Sequence, residues 1–123
     1  HGTKASNLLS ILRQGLVIVP RGASHTTGRM YGDGLYFSDQ STKALNYATT
    51  YWGGRDEGRY FMLICRVAMG RSYTPKRYDS TRRPPAGYDS VYARGGQSGV
   101  YNNEMIVYRE SQARIEYIVE FAK

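Results

Sequence analysis

The sequence predicts an α+β fold that is strand-rich towards its C-terminal half, with two short helices near its start. Three observations carry this. Apolar residues fall at helical spacing early in the chain, at Leu8, Leu9, Ile11 and Leu12. Tyr60 to Met69 is apolar nearly throughout, and apolar residues recur at every second position from Ile115 to Phe121. With 123 residues, 41% of them hydrophobic, the chain suits one domain, expected to bury roughly 65% of its extended-chain surface.

The first helix is expected to be capped by Ser6 or Asn7 and ended by Gly15. Leu16-Val17-Ile18-Val19 reads as a short strand. From Pro20 to Gly34 the composition turns to Gly, Ser, Thr, His and Pro, a loop about as long as loops become without a function. Leu35-Tyr36-Phe37 is a brief extended piece, and Ser38 or Asp39 then caps a helix carrying Ala44, Leu45, Tyr47 and Ala48. Gly53-Gly54 breaks that helix. Tyr60 to Met69 reads as a strand covered on both faces. Pro75 to Ala86, with prolines at 75, 84 and 85 among Lys76, Arg77, Arg82 and Arg83, reads as an irregular surface loop. Asn103 to Tyr108 is a further strand. Arg114 to Phe121 is the last, with Ile115, Tyr117, Val119 and Phe121 on one face. No internal repeat or low-complexity tract interrupts this order.

Composition narrows the function. Cys65 is the only cysteine, which excludes an internal disulfide framework and an all-cysteine metal site; within its apolar run it reads as an inert core thiol. No apolar stretch reaches the ~18 residues of a membrane span, so no membrane partner is expected. Composition does not fix the compartment, although a lone thiol favours a reducing intracellular one. The net charge of +7, from 17 Lys+Arg against 10 Asp+Glu, can attract nucleic acid, an anionic ligand or an acidic partner, and equally describes a solvated basic surface. Twelve tyrosines suit sites that stack on flat ligands. Arg66, Tyr60 and Tyr108 are too few interleaved residues to argue a plain nucleic-acid-binding domain.

His1 and His25 are not at metal-ligand spacing, and no Gly-x-Ser-x-Gly or phosphate-loop motif is present. What stands out is a series: His1-Gly2-Thr3, the glycine-rich loop, Gly32-Asp-Gly-Leu-Tyr-Phe-Ser-Asp39, Asn46-Tyr47, and Asn103-Glu-Met-Ile-Val-Tyr108. Taken singly, His1 is an ordinary chain-end histidine, and Tyr36 and Tyr47 are ordinary core or surface aromatics. Glu104 is sharper, because a carboxylate within an apolar strand costs desolvation free energy unless something uses it.

In that order and spacing the series resembles the poly(ADP-ribose) polymerase family of ADP-ribosyltransferases, the His-Tyr-Glu group. The resemblance runs from His1 to about Phe121. Pro84 to Val91, Ile106 to Gln112 and Glu116 to Val119 are most similar to tankyrase-type members. It implies the ADP-ribosyltransferase fold of split β-sheets, NAD⁺ as substrate, and no metal. It implies catalytic roles for His1, Tyr36 and Glu104, and NAD⁺ contacts from His1, Gly2, Thr3, Tyr36, Ala44 and Tyr47. His1 would bond the adenosine-side ribose, and the Gly2 backbone would hold the carboxamide. Tyr36 and Tyr47 would sandwich the nicotinamide ring. Glu104 would bind the nicotinamide ribose and stabilise the positive charge that develops as nicotinamide departs. Residues Pro20 to Tyr31 would cover the dinucleotide.

Two departures from the family pattern stand out. Ala44 occupies the place of a small hydroxyl residue that bonds the carboxamide, a role Thr42 or a water could take over. The strand that normally precedes His-Gly-Thr is not in this sequence, so the chain reads as a whole transferase domain or its C-terminal portion. The implied reaction is transfer of ADP-ribose from NAD⁺ to protein or nucleic acid. Mono-transfer is favoured, because Pro75 to Gly99 is short for an elaborate acceptor surface. An NAD⁺- or ADP-ribose-binding pseudoenzyme is the alternative, and it would be marked by loss of the histidine or the glutamate.

The Ala44 departure is testable directly. Ala44→Ser offers the carboxamide one more partner and is expected to tighten NAD⁺ by up to about 1.5 kcal/mol, or about tenfold. Calorimetric titration checks this, with a pyridine lacking the carboxamide gaining nothing.

Overall fold

The computed structural model describes residues 1–18, 30–48, 58–78 and 83–121, apart from the Tyr47 side chain. The expected loop residues 20–29, the Gly53-Gly54 break and Arg82 lie outside the described residues. The fold is α+β with two separate sheets, as the sequence implies. The elements are β1 (Gly2–Lys4), α1 (Leu8–Gln14), β2 (Leu35–Phe37), α2 (Ser41–Ala48), β3 (Tyr60–Val67), β4 (Ser72–Tyr73), β5 (Ser90–Ala93), β6 (Glu104–Val107) and β7 (Ala113–Phe121). One sheet runs in the order β1-β3-β7 and is antiparallel throughout. The other runs β2-β6-β5-β4, antiparallel except for the β4–β5 pair.

Strand period fixes which residues do which work. In the second sheet Tyr36 pairs with Ile106, and Ile106 with Val91. Paired residues share a face and alternate residues switch it, so Tyr36, Glu104, Ile106, Val91 and Ala93 lie on one face. Leu35, Phe37, Met105 and Val107 take the other. They pack with Cys65, Val67 and Ala113 of the first sheet to form the core between the sheets. The opposite face carries its own cluster, in which Tyr31 closes over Val91, Ala93 and Ile106. Gly34 is required here, because a Cβ would stand 2.7 Å from both Ile106 Cγ2 and the Val107 carbonyl oxygen.

Gly15 ends α1 as expected, with φ 75° and its N–H on the Ile11 carbonyl. Asn7 stands at the helix N-cap, without a side-chain cap bond. The expected apolar face is only half used: Leu8 and Ile11 are half-buried, whereas Leu9 and Leu12 are 62% and 59% exposed.

Three expectations are corrected. Residues 16–18 form no strand. The Ile18 N–H is taken by the Glu110 carboxylate at 2.9 Å, while Leu16 and Ile18 pack on the inter-sheet core, so their apolar character serves packing and not pairing. The long β3 is not covered on both faces, since Ile64 is 49% exposed. In β7 the four apolar residues do not share one buried face. A register shift between Ile64 and Cys65 pairs Ile64 with Tyr117 but Cys65 with Ile115, leaving Glu116 extra. The extra residue breaks the alternation, so Ile115 turns inward and Tyr117 and Val119 face outward.

Helix α2 lies against β1 at Gly2, where a Cβ would collide with the Ala44 carbonyl oxygen and fall 3.2 Å from the Ala48 nitrogen. Only glycine permits that approach. Gly2→Ala therefore has to push α2 off the sheet, and is expected to destabilise the protein by about 1–3 kcal/mol. Urea denaturation of the two proteins measures it; an unchanged midpoint would mean the helix and strand are not so closely apposed.

Candidate functional site

The site grows from the outer face of the β2-β6-β5-β4 sheet. The turn before β2 is built by tyrosine hydroxyls. The Tyr36 hydroxyl donates to the Gly32 carbonyl at 2.7 Å and accepts the Tyr31 N–H at 2.9 Å. The Tyr108 hydroxyl donates to the Tyr31 carbonyl at 2.6 Å. Tyr31 itself reaches the Ser98 carbonyl at 2.7 Å. These bonds satisfy main-chain groups of the turn and seat the Tyr31 ring on the sheet. Burial, together with the nearby Glu104 charge, pushes the Tyr31 phenol up to about 12, so it stays a neutral donor. Burial likewise raises Tyr108 and Cys65, and leaves the Cys65 thiol unreactive, as its sequence context predicts.

Glu104 opens β6 on this face and is only 5% exposed. One carboxylate oxygen, Oε1, is 2.7 Å from the Lys43 ammonium. The other, Oε2, is buried and has no hydrogen-bond partner among the described residues. A carboxylate oxygen in that condition accommodates a hydroxyl donor from outside, because leaving such an acceptor unpaired costs about 1–3 kcal/mol. Asn103 sets the strand beside the helix. Its side-chain amide donates to Asp39 at 3.0 Å, just before α2, and its carbonyl oxygen accepts the Gly95 N–H at 2.9 Å. The Ser38 hydroxyl accepts the Gln40 N–H at 3.0 Å and shapes the turn into α2.

His1 joins the two sheets. Its main chain extends β1 by bonding Leu63 in both directions, at 3.0 and 2.7 Å. Its ring reaches β2, with Nδ1 2.9 Å from the Tyr36 carbonyl and the ring centroid 5.8 Å from that of Phe37. A carbonyl only accepts, so Nδ1 carries the proton and the neutral ring leaves Nε2 as a free acceptor.

The structure thus brings His1 against Tyr36, Gly2 against Ala44, and Glu104 onto the face that bears Tyr36. Ala44 is buried at 5% exposure. Thr3 is buried too, paired with Phe61 in the first sheet, and its hydroxyl turns back to the Lys4 carbonyl at 3.4 Å. Tyr47 stands in the last turn of α2, with its ring outside the described residues. Sequence reasoning missed Lys43 and Asn103. The one available signal was spacing: a lysine next to Ala44 sits on the helix whose neighbours were already assigned. Among the described residues no three His, Cys, Asp or Glu side chains group closely enough to hold a metal, and no helix is long and apolar enough to cross a membrane.

Comparison with known proteins bears on this geometry. Residues 1–100 match the family model described as the poly(ADP-ribose) polymerase catalytic domain. The chain is 35% identical over 132 residues to the poly(ADP-ribose) polymerase-like protein 100L of Invertebrate iridescent virus 6, covering 100% of this chain and 69% of that protein. It is 33% identical over 131 residues to the protein mono-ADP-ribosyltransferase PARP4 of Mus musculus, covering 98% of this chain and 6% of that protein. It is 39% identical over 74 residues to the tankyrase of Caenorhabditis elegans, covering 60% of this chain and 3% of that protein.

Breaking the ion pair isolates a buried carboxylate. Lys43→Met is expected to cost about 2–3 kcal/mol of stability, below the loss from a fully buried pair because the lysine retains some solvent. Adding Glu104→Gln should restore part of that loss, and a double-mutant cycle in urea gives the coupling. A Lys43→Met protein as stable as the parent would show the pair does not hold in solution.

Proposed function

The chain belongs to the poly(ADP-ribose) polymerase catalytic-domain family of ADP-ribosyltransferases, and from that premise we propose that it binds NAD⁺ and transfers its ADP-ribose to a macromolecular acceptor, releasing nicotinamide. One observation carries the reading: a buried glutamate with one oxygen fixed by a lysine and the other left without a partner. In this reading residues 1–123 are one transferase domain or the C-terminal portion of one.

The unpartnered Oε2 accepts the 2′-hydroxyl of the nicotinamide ribose. Lys43 holds the carboxylate in place, so it is already in position when positive charge develops at the anomeric carbon. The bond from that carbon to the pyridinium nitrogen breaks, and its electron pair leaves on nicotinamide. An acceptor oxygen supplies the pair for the new bond; where the acceptor is a hydroxyl, its proton passes to Glu104 or to water. His1 offers Nε2 to a hydroxyl of the adenosine ribose. The Gly2 backbone holds the carboxamide beside Ala44, and the rings of Tyr36 and Tyr47 flank the nicotinamide, attracting the cationic pyridinium more than the neutral product.

Mono-transfer is the favoured outcome. The short 75–99 region supports it, since elongation demands a pocket for a second ADP-ribose. The mono-ADP-ribosyltransferase names of relatives such as mouse PARP4 accord with it.

Glu104→Gln tests the reading. The variant keeps the volume and loses the charge, so nicotinamide release is expected to fall by about 10²–10³-fold while the Kd for NAD⁺ moves only a few-fold. Equal release by parent and variant would remove Glu104 from the chemistry. A parent that binds NAD⁺ and releases no nicotinamide would mark a binding module in place of an enzyme.

A further inference from the structure

A second feature lies on the same sheet face as Glu104, on the far side of Tyr31. It is a cleft of about 180 Å³ lined by Tyr31, Tyr73, Pro75 and Val91, with Lys76, Arg77 and Arg83 completing its wall. Among the described residues none of these three cations has an ion-pair or hydrogen-bond partner. The floor is built rather than incidental. Tyr31 is 3% exposed, and its hydroxyl is spent on the Ser98 carbonyl. The fully buried Ser98 in turn donates its hydroxyl to the Pro75 carbonyl at 2.5 Å, which fixes the segment that carries Lys76 and Arg77. Tyr73 is braced edge-on by Tyr88 with centroids 5.5 Å apart, and the Arg71 guanidinium lies 4.6 Å from the centre of the Tyr88 ring.

We propose that this cleft binds single-stranded nucleic acid, with a backbone phosphate held by Lys76, Arg77 and Arg83 and a base against Tyr73. Cations next to a braced aromatic ring form the combination that holds a single strand without reading its sequence. An acidic peptide would use the charges and leave the ring idle, and a cleft of this size admits one nucleotide and not a duplex. Tyr31 links the cleft to the transferase site. It forms the cleft's inner wall and lies near enough to Glu104 for that charge to raise its phenol. β4 lies two strands, about 10 Å, from β6 on the same sheet, which places the cleft beside the glutamate's strand. The placement as an acceptor subsite rests on the ADP-ribosyl-transfer reading; the binding itself does not.

Fluorescence anisotropy with a labelled ten-nucleotide oligo-dT, at 50 and 150 mM NaCl, tests it. The parent protein is expected to bind, and Lys76→Ala/Arg77→Ala to bind about tenfold more weakly or worse. The salt slope should become shallower by about 1.4, at about 0.7 for each cation removed from the phosphate backbone. Tyr73→Leu should weaken binding about fivefold or more with the slope unchanged, since stacking on an aromatic is worth about 1–3 kcal/mol and carries no counterion. Arg13→Ala, a cation on α1, should bind like the parent. No binding by the parent, an unaffected double variant, or equal weakening by Arg13→Ala overturns the proposal, as does displacement by poly-glutamate at matched charge. Nicotinamide release by the parent without oligonucleotide reports the transferase reading separately, so either can fail without the other.

Discussion

A carboxylate that leaves water must be paired, and the 2.7 Å contact between Lys43 and Glu104 is the interaction on which this arrangement turns. The glutamate begins β6, in the middle of one sheet; the lysine lies on α2, which packs on β1 of the other sheet. The ion pair therefore bears on more than the carboxylate it partners. It fixes how far the helix stands from the second sheet, while the glycine at position 2 fixes how close it comes to the first. Asn103 and Asp39 repeat the linkage one residue earlier, from a neutral amide to a carboxylate at the rim. His1 supplies a third connection, main chain in one sheet and ring on the other. Three polar bridges thus join the second sheet to α2 and to the first sheet.

The period of two along β6 divides the labour of this short strand. Met105 and Val107 look inward to the sheet-on-sheet core, while Glu104 and Ile106 look out to the site. Stability and chemistry thus share a backbone and not a side-chain layer. Tyr31 serves both roles on the outer face. It roofs a small apolar cluster and stands between the carboxylate and the basic cleft, held by hydrogen bonds at its N–H, its carbonyl and its hydroxyl.

Much of this was legible in the residues. The helix near the start, its glycine stop, β2, β3 and β6 follow from period and turn chemistry. The order of His1, Tyr36 and Glu104 follows from family spacing, whereas the contacts of His1 with Tyr36 and of Gly2 with Ala44 appear only in the fold. What was hidden depends on contacts between distant segments. Lys43 reads in sequence as an ordinary solvated lysine, and only the approach of β6 to α2 gives it a buried partner. Leu16 to Ile18 carry the composition of a strand, but a strand needs a free edge beside it, and a glutamate side chain took the Ile18 N–H instead. The β7 bulge is invisible because alternation in a sequence says nothing about an extra residue opposite one partner. Tyr88 and Arg71 likewise flank Tyr73 through tertiary folding. Counting basic and aromatic residues along the predicted strands passed over them.

The solitary oxygen of Glu104 has a thermodynamic consequence for the free protein. A buried acceptor with no donor holds a conformational ground state above where its packing alone would set it. Ligand and fold are linked by mass action, a ligand of the folded state stabilising it by RT ln(1 + [L]/Kd). A ligand that donates a hydroxyl there would stabilise the fold as it fills the site. Under the proposed role of Glu104, one buried oxygen then sets both a cost to the empty fold and its readiness for a donor.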